Sequence, residues 1–573
     1  MIVDTFLLPY LSFPFNIKTH SKGDILPMTI GEKIVHLRIV NNISQEELSK
    51  NLKVSRQSLS KWENNDTLPP LNTIKDLCQI FKVSADELID DNIVIHRGKK
   101  IDLPDDNIKT KYFGTDGFRG EANELLNSDR AYKIGRFLGW FYSNPKYNMQ
   151  KPGYRPKIVI GKDTRRSSYM LEYSVAAGAA SSGADVELLH VTTTPSVSYI
   201  VRQDCFDCGV MITASHNPFY DNGIKVINSN GEKLEDGVAY LAEAYLDGEF
   251  KTLGLEGETD LPFAKRGDIG TINDYSSGRN RYIGYLISLA RHSMKRLRIG
   301  LDAANGASWM IARSVFEALG AQVYIINNHP DGLNINFNAG STHIENFCKY
   351  VKDNKLDVGF AFDGDADRCI AVDENGKEVD GDKIMYLLAC KLQSEGSLDK
   401  YTVVATIMSN SGLEKALKGI GCKLERTKVG DRFVFERMMN EGYVLGGEQS
   451  GHIIIRKYAT TGDGVLTAIM VTEEILERKE SLSKLVSPVK LLPQKTRNVR
   501  VTDKNAAVED EAVKAKFDEV NKEIGDNGRA LLRQSGTEPV IRIMVEYPTL
   551  QGCEEYIDKI YNVVKKRGFV IDE

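Results

Sequence analysis

Several features that would place this chain in a membrane or outside the cell are missing from its sequence. No apolar run reaches the roughly 20 residues of a membrane-spanning helix, and the first residues lack the basic region and cleavage site of a signal peptide. The eight cysteines are scattered, and only Cys205 and Cys208 have C-x-x-C spacing. Because no second pair follows, the pattern predicts reduced thiols in a cytoplasmic protein, with neither a zinc site nor a disulfide framework.

The sequence also lacks a dominant charge of one sign. A formal net charge of −5 over 573 residues gives no overall attraction to nucleic acid or to an anionic membrane. The length is too great for one hydrophobic core and predicts about three to five domains. Residues 1–27 are apolar but interrupted by prolines, so we expect a poorly ordered extension there, with Met28 as an alternative start of the protein.

Residues 28–92 carry the pattern of five short helices. Ile30, Ile34 and Leu37 recur at helical spacing, and Ser44 opens a capping box. The tight turn between the second and third helices resembles that of the lambda-repressor-like helix-turn-helix family, whose third helix enters the DNA major groove. The resemblance implies an all-α DNA-binding module, and the positions that would face DNA are Gln45, Ser55, Arg56, Gln57 and Lys61.

The composition of this module leaves a second interpretation open. Acidic residues slightly outnumber basic ones in residues 28–91, unlike a strongly basic DNA-binding surface. Lys50, Lys53, Arg56 and Lys61 are nevertheless not interrupted by acidic residues, so one face can meet phosphates. A protein-interaction or vestigial module is the alternative. The polar residues 93–108 predict a linker.

From residue 109 onward, apolar strand-like runs alternate with helical patterns, which predicts layered α/β domains. One such run, Cys208–Ile212, ends at a polar turn with Ser215 and His216. Turn residues follow, so Ser215 is expected at the tip of a loop. Acyl transfer by a serine nucleophile is disfavoured because the G-x-S-x-G motif is absent. A serine that carries a phosphoryl group and a turn without chemistry remain as interpretations.

The most specific loop contains three carboxylates at alternate positions. Asp363, Asp365 and Asp367 can converge on one cation through oxygen ligands. An EF-hand calcium loop is the alternative, since Glu374 falls at its twelfth position. Arg368, however, occupies the sixth position, where that loop requires glycine, and the flanking apolar runs predict strands. The pattern therefore favours Mg2+ with open coordination positions.

A further polar loop lies between two short apolar runs at residues 446–452. Glu448, Ser450 and His452 are two positions apart, so that on an extended loop they would share one side. A carboxylate and a hydroxyl suit the hydroxyl groups of a sugar. A plain hairpin turn is the alternative.

The last polar loop joins two predicted strands at residues 533–539. An arginine, two hydroxyls and glycine-exposed amides form an anion nest that suits a phosphate. The following strand adds a second cation. The predicted phosphate ligands are Arg533, Ser535, Gly536, Thr537 and Arg542.

Together with the glycine-rich turn Phe113–Arg119, these loops follow the order of motifs in the α-D-phosphohexomutase superfamily, which the chain resembles over residues 111–573. Residues 112–117, 447–452 and 535–539 are most similar to the bacterial phosphoglucosamine mutase branch. Gln534, where proline is usual, and Ala339, where cysteine is common, depart from the pattern. Neither is a catalytic position.

The resemblance implies three related α/β domains with mixed sheets, followed by a smaller C-terminal α+β domain, around one cleft. Each domain would supply one motif. The predicted ranges are 109–265 for the catalytic serine, 266–378 for the metal loop, 379–487 for the sugar loop and 488–573 for the phosphate clamp.

The resemblance also implies a reaction. Phosphorylated Ser215 would convert glucosamine 6-phosphate into glucosamine 1-phosphate through glucosamine 1,6-bisphosphate, with one Mg2+ held by Ser215 and the three aspartates. Lys225 would act as general acid/base, with His216, Arg119 and Arg368 nearby. A homodimer is expected for both parts of the chain. The alternatives are the same chemistry on glucose or mannose phosphates and a transcriptional regulator that senses a sugar phosphate.

Overall fold

The computed structural model describes residues 29–40, 43–63, 67–81, 83, 85–89, 108, 110–114, 116–144, 147, 154–535 and 539–571. The chain divides into two compact units, residues 1–95 and 96–573. The predicted extension at 1–27 and most of the predicted linker at 93–108 lie outside the described residues. None of the described helices combines the length and the hydrophobicity that crossing a bilayer requires.

The described part of the first unit is all helical, as predicted. Ser44 and Ser55 accept hydrogen bonds from the amides of Glu47 and Ser58, which caps the second and third helices. The core includes Ile34, Leu48, Leu59, Leu77 and Leu88, all fully buried. The helices are Ile30–Val40, Gln45–Asn51, Arg56–Glu63, Leu71–Phe81 and Ala85–Ile89.

The first domain of the second unit (residues 110–274) is built on a mixed seven-stranded sheet. In spatial order its strands are Phe113–Gly114, Gly117–Glu121, Asp221–Asn228, Cys208–Ile212, Lys157–Lys162, Asp185–Val191 and Ile272–Asp274. The last four strands in this order run parallel to one another. Asp221–Asn228 pairs antiparallel with both of its neighbours, Gly117–Glu121 and Cys208–Ile212. The helices are Ser128–Ser143, Arg166–Ser181, Thr194–Gln203 and Asp236–Leu246. Because residues 272–274 complete this sheet, it extends beyond the seam predicted at 265.

The second domain (residues 276–379) also has a mixed sheet. Its strands, in spatial order, are Glu378–Val379, Cys369–Val372, Val358–Phe362, Arg298–Asp302 and Gln322–Ile326. The α-helices are Ser276–Leu289, Ser308–Ala318 and Glu345–Asp353. Buried residues of this domain and of the next form one continuous hydrophobic core.

The third domain (residues 381–485) repeats the α/β plan with four strands. In spatial order these are Lys423–Thr427, Thr402–Thr406, Leu445–Gly447 and Ile453–Ile455. The α-helices are Gly381–Ser394, Ser411–Gly419, Asp431–Glu441, Gly464–Arg478 and Leu482–Leu485. The hairpin of the last two strands carries the loop that contains Glu448.

The fourth domain (residues 494–571) is α+β, as predicted. An antiparallel sheet of Gln494–Arg500, Val540–Glu546 and Arg529–Gln534 packs with the helices Lys504–Glu509, Glu511–Ile524 and Leu550–Lys566. The buried carboxylate of Glu546 accepts hydrogen bonds from the amide and hydroxyl of Ser411 at 3.0 and 2.5 Å. This contact joins the fourth domain to the third.

Glycines allow two helices of the first domain to touch through their backbones. A β-carbon at Gly178 would lie 2.0 Å from the carbonyl oxygen of Tyr132, and one at Gly135 would lie 2.1 Å from that of Val175. The helices Ser128–Ser143 and Arg166–Ser181 therefore have no room for larger residues at these positions.

We expect Gly178→Ala to destabilise the protein, because the helices must separate to admit the methyl group; overpacking costs about 1–3 kcal/mol. Thermal unfolding followed by circular dichroism measures the effect. Gly284→Ala is the matched control, since Gly284 is exposed on the helix Ser276–Leu289 and a β-carbon there meets nothing within 4 Å. That variant should be neutral or slightly stabilised. Equal melting temperatures for both variants would contradict the close helix approach.

Candidate active site

Ser215 lies at the tip of the turn that follows the strand Cys208–Ile212, as predicted. It is 2% exposed, and its φ of +50° is in the left-handed region that residues other than glycine seldom occupy. The hydroxyl of Thr213 accepts a hydrogen bond from the Ser215 amide at 2.9 Å. A backbone in this conformation persists only where its surroundings hold it.

Two buried side chains hold the Ser215 turn. Arg165 Nη2 donates to the carbonyl oxygens of Ser215 and Asn217 at 3.1 and 2.6 Å, and Asn336 Nδ2 donates to the same oxygens at 2.8 and 3.1 Å. Arg165 is also paired with Asp163. The loop Gly161–Arg165, which contains both residues of this ion pair, therefore supports the serine. Asn336, from the second domain, had no sequence signal.

The aspartate loop meets the serine. Asp363, Asp365 and Asp367 are buried between the antiparallel strands Val358–Phe362 and Cys369–Val372, and their oxygens lie within 4.8 Å of one another. Ser215 Oγ donates to Asp363 Oδ2 at 2.5 Å. Flanking strands exclude the EF-hand alternative, and Glu374 instead accepts hydrogen bonds from Ser483.

The charge of this cluster fits a divalent cation. Burial, together with the carboxylates of Asp367 and Asp365, raises the pKa of Asp363 well above its usual range. Asp365 Oδ1 and Asp367 Oδ1 have no hydrogen-bond partner among the described residues, although both are buried. Unsatisfied buried carboxylate oxygens are costly, and hard cations such as Mg2+ bind oxygen ligands of this kind. The cluster therefore supports Mg2+ binding.

Cationic and neutral groups surround the carboxylates. Lys225 Nζ donates to Asp365 Oδ2 at 2.7 Å and to Asp367 Oδ2 at 3.3 Å. Burial opposes the lysine charge, but these two carboxylates outweigh it and raise the pKa of Lys225. Burial and the nearby arginines Arg368 and Arg119 lower the pKa of His216 to about 4. At neutral pH, Lys225 is thus an ammonium and His216 a neutral imidazole.

The two predicted arginines, Arg368 and Arg119, are held near the carboxylates by different contacts. The amide of Arg368 donates to Asp363 Oδ1 at 3.1 Å, and Arg119 Nη2 donates to Asp116 Oδ2 at 3.2 Å. Thr194, which the sequence did not indicate, donates its hydroxyl to Asp365 Oδ2 at 2.6 Å.

The prediction that residues 446–452, here called the sugar loop, are extended is wrong. The Gly451 amide donates to the Glu448 carbonyl, and Gly451 has a φ of +94°, so the segment turns. Ser450 is exposed and donates to Glu448 Oε2 at 3.3 Å. His452 is 3% exposed and faces the metal loop, with Nδ1 3.7 Å from Asp367 Oδ2. Glu448 and Ser450 therefore contact each other at the turn, whereas His452 faces the metal loop.

The fourth domain brings basic residues to its predicted phosphate loop. Arg533 and Arg542 are directly opposite on paired strands, so both lie on one face of the sheet, where like charges repel. Burial and Arg542 lower the pKa of Arg533. Lys504 Nζ donates to the carbonyl of the buried Ser535 at 2.7 Å and adds a cation that the sequence did not indicate. Gly536 and Thr537 lie outside the described residues.

In the helical unit, three of the five predicted DNA-facing residues make hydrogen bonds within the module. The Gln45 side chain donates to Glu63 at 2.6 Å and accepts from Arg56 at 3.4 Å, and the Ser55 hydroxyl is a helix cap. Arg56, Gln57 and Lys61 are exposed on the third helix.

Comparison with known families finds matches over both units. Models described as phosphoglucomutase/phosphomannomutase match in four parts: alpha/beta/alpha domain I at residues 110–251, domain II at 280–376, domain III at 380–491 and the C-terminal domain at 497–563. A model described as helix-turn-helix matches residues 37–88.

Similar proteins cover the second unit. The chain is 54% identical over 461 residues to a phosphoglucosamine mutase of Lachnospira eligens, covering 80% of this chain and 100% of that protein. It is 46% identical over 455 residues to a phosphoglucosamine mutase of Bacillus subtilis, covering 79% and 98%.

Solved structures share the fold. A phosphoglucomutase/phosphomannomutase family protein of Burkholderia thailandensis has a TM-score of 0.65 at 22% identity, covering 80% of this chain and 99% of that one. The N-acetylphosphoglucosamine mutase of Aspergillus fumigatus, in complex with GlcNAc-6P and magnesium, has a TM-score of 0.56 at 18% identity, covering 81% and 97%.

We expect Asp365→Asn to weaken Mg2+ binding by more than the roughly 10–100-fold that loss of an outer-shell partner costs, because it removes a ligand charge from the cluster. Isothermal titration of the full-length protein with MgCl2 measures the affinity. Glu374→Gln is the control, since that carboxylate binds Ser483 and lies outside the cluster. A loss of Mg2+ binding in Glu374→Gln but not in Asp365→Asn would contradict the assigned site.

Proposed function

Because the chain belongs to the phosphoglucomutase/phosphomannomutase family, we propose that its second unit interconverts glucosamine 6-phosphate and glucosamine 1-phosphate. The observation that carries this proposal is the buried Ser215 hydroxyl, which lies 2.5 Å from Asp363 in the three-carboxylate cluster. The similarity of the chain to two phosphoglucosamine mutases supports the amino sugar as substrate.

Phosphorylated Ser215 is the phosphoryl donor in this scheme. The bond between phosphorus and the serine oxygen breaks as one forms to the free sugar hydroxyl, which gives glucosamine 1,6-bisphosphate. After the intermediate turns round, the other phosphoryl group returns to Ser215 and the isomeric monophosphate leaves. Mg2+, held by Asp363, Asp365, Asp367 and the Ser215 oxygen, would offset the negative charge of the transferred group.

Each phosphoryl transfer needs one group that accepts the proton of the attacking hydroxyl and another that donates a proton to the departing oxygen. The neutral imidazole of His216 can accept the proton of the attacking hydroxyl, and the ammonium of Lys225 can donate one to the serine oxygen. The guanidinium groups of Arg119 and Arg368 add positive charge beside the phosphoryl oxygens.

Substrate binding falls to the third and fourth domains. The carboxylate of Glu448 and the exposed hydroxyl of Ser450 can hydrogen-bond the sugar. His452 is buried and connects this loop to Asp367 of the metal loop. Arg533, Ser535 and Arg542 would hold the phosphate that does not react, together with Gly536 and Thr537. Two opposed arginines on one face are the arrangement that a bound dianion stabilises.

We expect Ser215→Ala to lose at least about ten-thousandfold in turnover, the scale on which enzymes lose activity without their nucleophile, because no group remains to carry the phosphoryl. A coupled assay on glucosamine 6-phosphate, with glucose and mannose phosphates beside it, measures turnover and tests the same chemistry on other hexoses. Ser450→Ala is the control and should mainly raise KM. Turnover by Ser215→Ala close to that of the unmodified protein would contradict the scheme.

A second function is supported by the helical unit. The match to a helix-turn-helix model and the exposed Arg56, Gln57 and Lys61 on one helix favour DNA binding by residues 29–89. A homodimer would present two such helices to two half-sites. The alternative function for the whole chain is a transcriptional regulator in which the second unit senses a sugar phosphate. Such a regulator could also retain the mutase activity.

We expect the full-length protein to bind DNA from upstream of its own coding region, and Arg56→Ala to weaken this binding and reduce its salt dependence, because one phosphate contact is lost. Fluorescence anisotropy at several salt concentrations measures both. Lys75→Ala, which removes an exposed cation from the fourth helix, is the control and should bind as before. Equal weakening by both changes would indicate attraction by charge alone.

A further inference from the structure

The start of the helix Asp431–Glu441 contacts the first domain through an ion pair. The carboxylate of Asp431 accepts a hydrogen bond from Lys233 Nζ at 2.7 Å, and Lys233 also donates to Asp116 Oδ1 at 2.8 Å. The Asp431 side chain is 13% exposed. Lys233 and Asp116 belong to the first domain and Asp431 to the third, so this contact crosses a domain boundary.

The same helix start also contacts the sugar loop, at two points. The Gly430 amide donates to Glu448 Oε1 at 3.1 Å, and Asp431 Oδ2 lies 3.5 Å from His452 Nε2. Gly430 has a φ of +126°, which a larger residue would adopt only under strain. The amide reaches Glu448 because of this conformation. Contacts that hold residues 430 and 431 in place therefore also hold Glu448 and His452 of the sugar loop.

On its other side, the ion pair leads to the phosphoryl-transfer centre. Asp116 pairs with Arg119 at 3.2 Å, and His452 lies 3.7 Å from Asp367, which pairs with Lys225 at 3.3 Å. Charged and polar side chains thus form a continuous path from one motif to another. Most of them line a single cavity of about 70 Å³; these are Asp116, Lys225, Lys233, Asp367, Asp431 and His452.

A neighbouring ion pair, between Arg432 and Asp236, joins the same two domains and lines the same cavity, but it does not bond to the sugar loop. Arg432 Nη2 donates to Asp236 Oδ2 at 2.8 Å, its Nη1 contacts the other oxygen of that carboxylate, and its Nε donates to Glu436 at 2.7 Å. Neither acidic partner belongs to the proposed site. The chain therefore offers adjacent residues, Asp431 and Arg432, which both join the domains but of which only Asp431 lies beside His452 of the sugar loop.

We propose that Lys233 and Asp431 are positioning residues that set the distance between the sugar loop and the phosphoryl-transfer centre. Lys233 holds Asp431, and the start of that helix holds Glu448 and His452 against the metal loop. Loss of either charge removes the contact that ties the helix start to the first domain and leaves the remaining charged group with one fewer partner in a largely enclosed place. The helix start is then free to move. The proposal rests on the function proposed above, because the loop is assigned to the sugar.

The kinetic test compares Asp431→Asn with Arg432→Gln. Asp431→Asn should lower kcat/KM for glucosamine 6-phosphate by about 100-fold, the scale of a misplacement of about 1 Å. Arg432→Gln should lower the melting temperature and lower kcat/KM far less than Asp431→Asn does, because Arg432 does not bond to the sugar loop. Lys233→Met should behave as Asp431→Asn, Lys233→Arg should retain most activity, and the double variant Lys233→Met/Asp431→Asn should be no worse than either single one.

A second measurement does not depend on turnover. Hydrogen exchange of the amides of residues 447–452 should accelerate in Asp431→Asn and remain as in the unmodified protein in Arg432→Gln. Similar kinetics and similar exchange in the two variants would overturn the inference, since the ion pair would then only join domains. An unmodified protein that turns over no hexose phosphate would contradict the proposed function instead, while hydrogen exchange would still decide whether Asp431 positions the loop.

Discussion

The site depends on three carboxylates that the fold places in one buried loop. Asp363, Asp365 and Asp367 repel one another, and burial removes the water that would screen them. Lys225 offsets part of this charge through two oxygens, while two further oxygens have no partner in the described chain. A divalent cation is the natural complement of such a cluster. The Ser215 hydroxyl, within hydrogen-bonding distance of Asp363, is thereby placed beside this carboxylate cluster.

Contacts between domains keep these groups together. The Ser215 turn of the first domain is held by Asn336 of the second, and the backbone of Arg368 in the second domain bridges to His452 of the third. No single domain is therefore a complete site. The proposed scheme transfers a phosphoryl group twice, in opposite directions, and it requires that the donor oxygen and the loops proposed to bind the sugar return to the same separation each time. Hydrogen bonds and ion pairs between the domains are the contacts that can hold this separation.

The sequence predicted what is local in the chain. The five short helices of residues 28–92 and the strands on both sides of the aspartate loop were indicated by periodicity and turn residues, and the metal loop follows from three carboxylates at alternate positions. Contacts between distant segments could not be predicted. Asn336 and Asp431 have no distinctive local pattern, because their roles depend on which domain packs beside them. The sugar loop was mispredicted as extended because a glycine with positive φ turns it.

The central claim is that Ser215 carries the phosphoryl group that the sugar receives. A single-turnover experiment with protein labelled by a radioactive phosphoryl group on Ser215, mixed with Mg2+ and unlabelled glucosamine 6-phosphate, tests it directly. The account predicts that label leaves the protein at the rate of turnover and appears in glucosamine 1,6-bisphosphate and in the monophosphate products. Label that stays on the protein during turnover, or that is released only as inorganic phosphate, would contradict it.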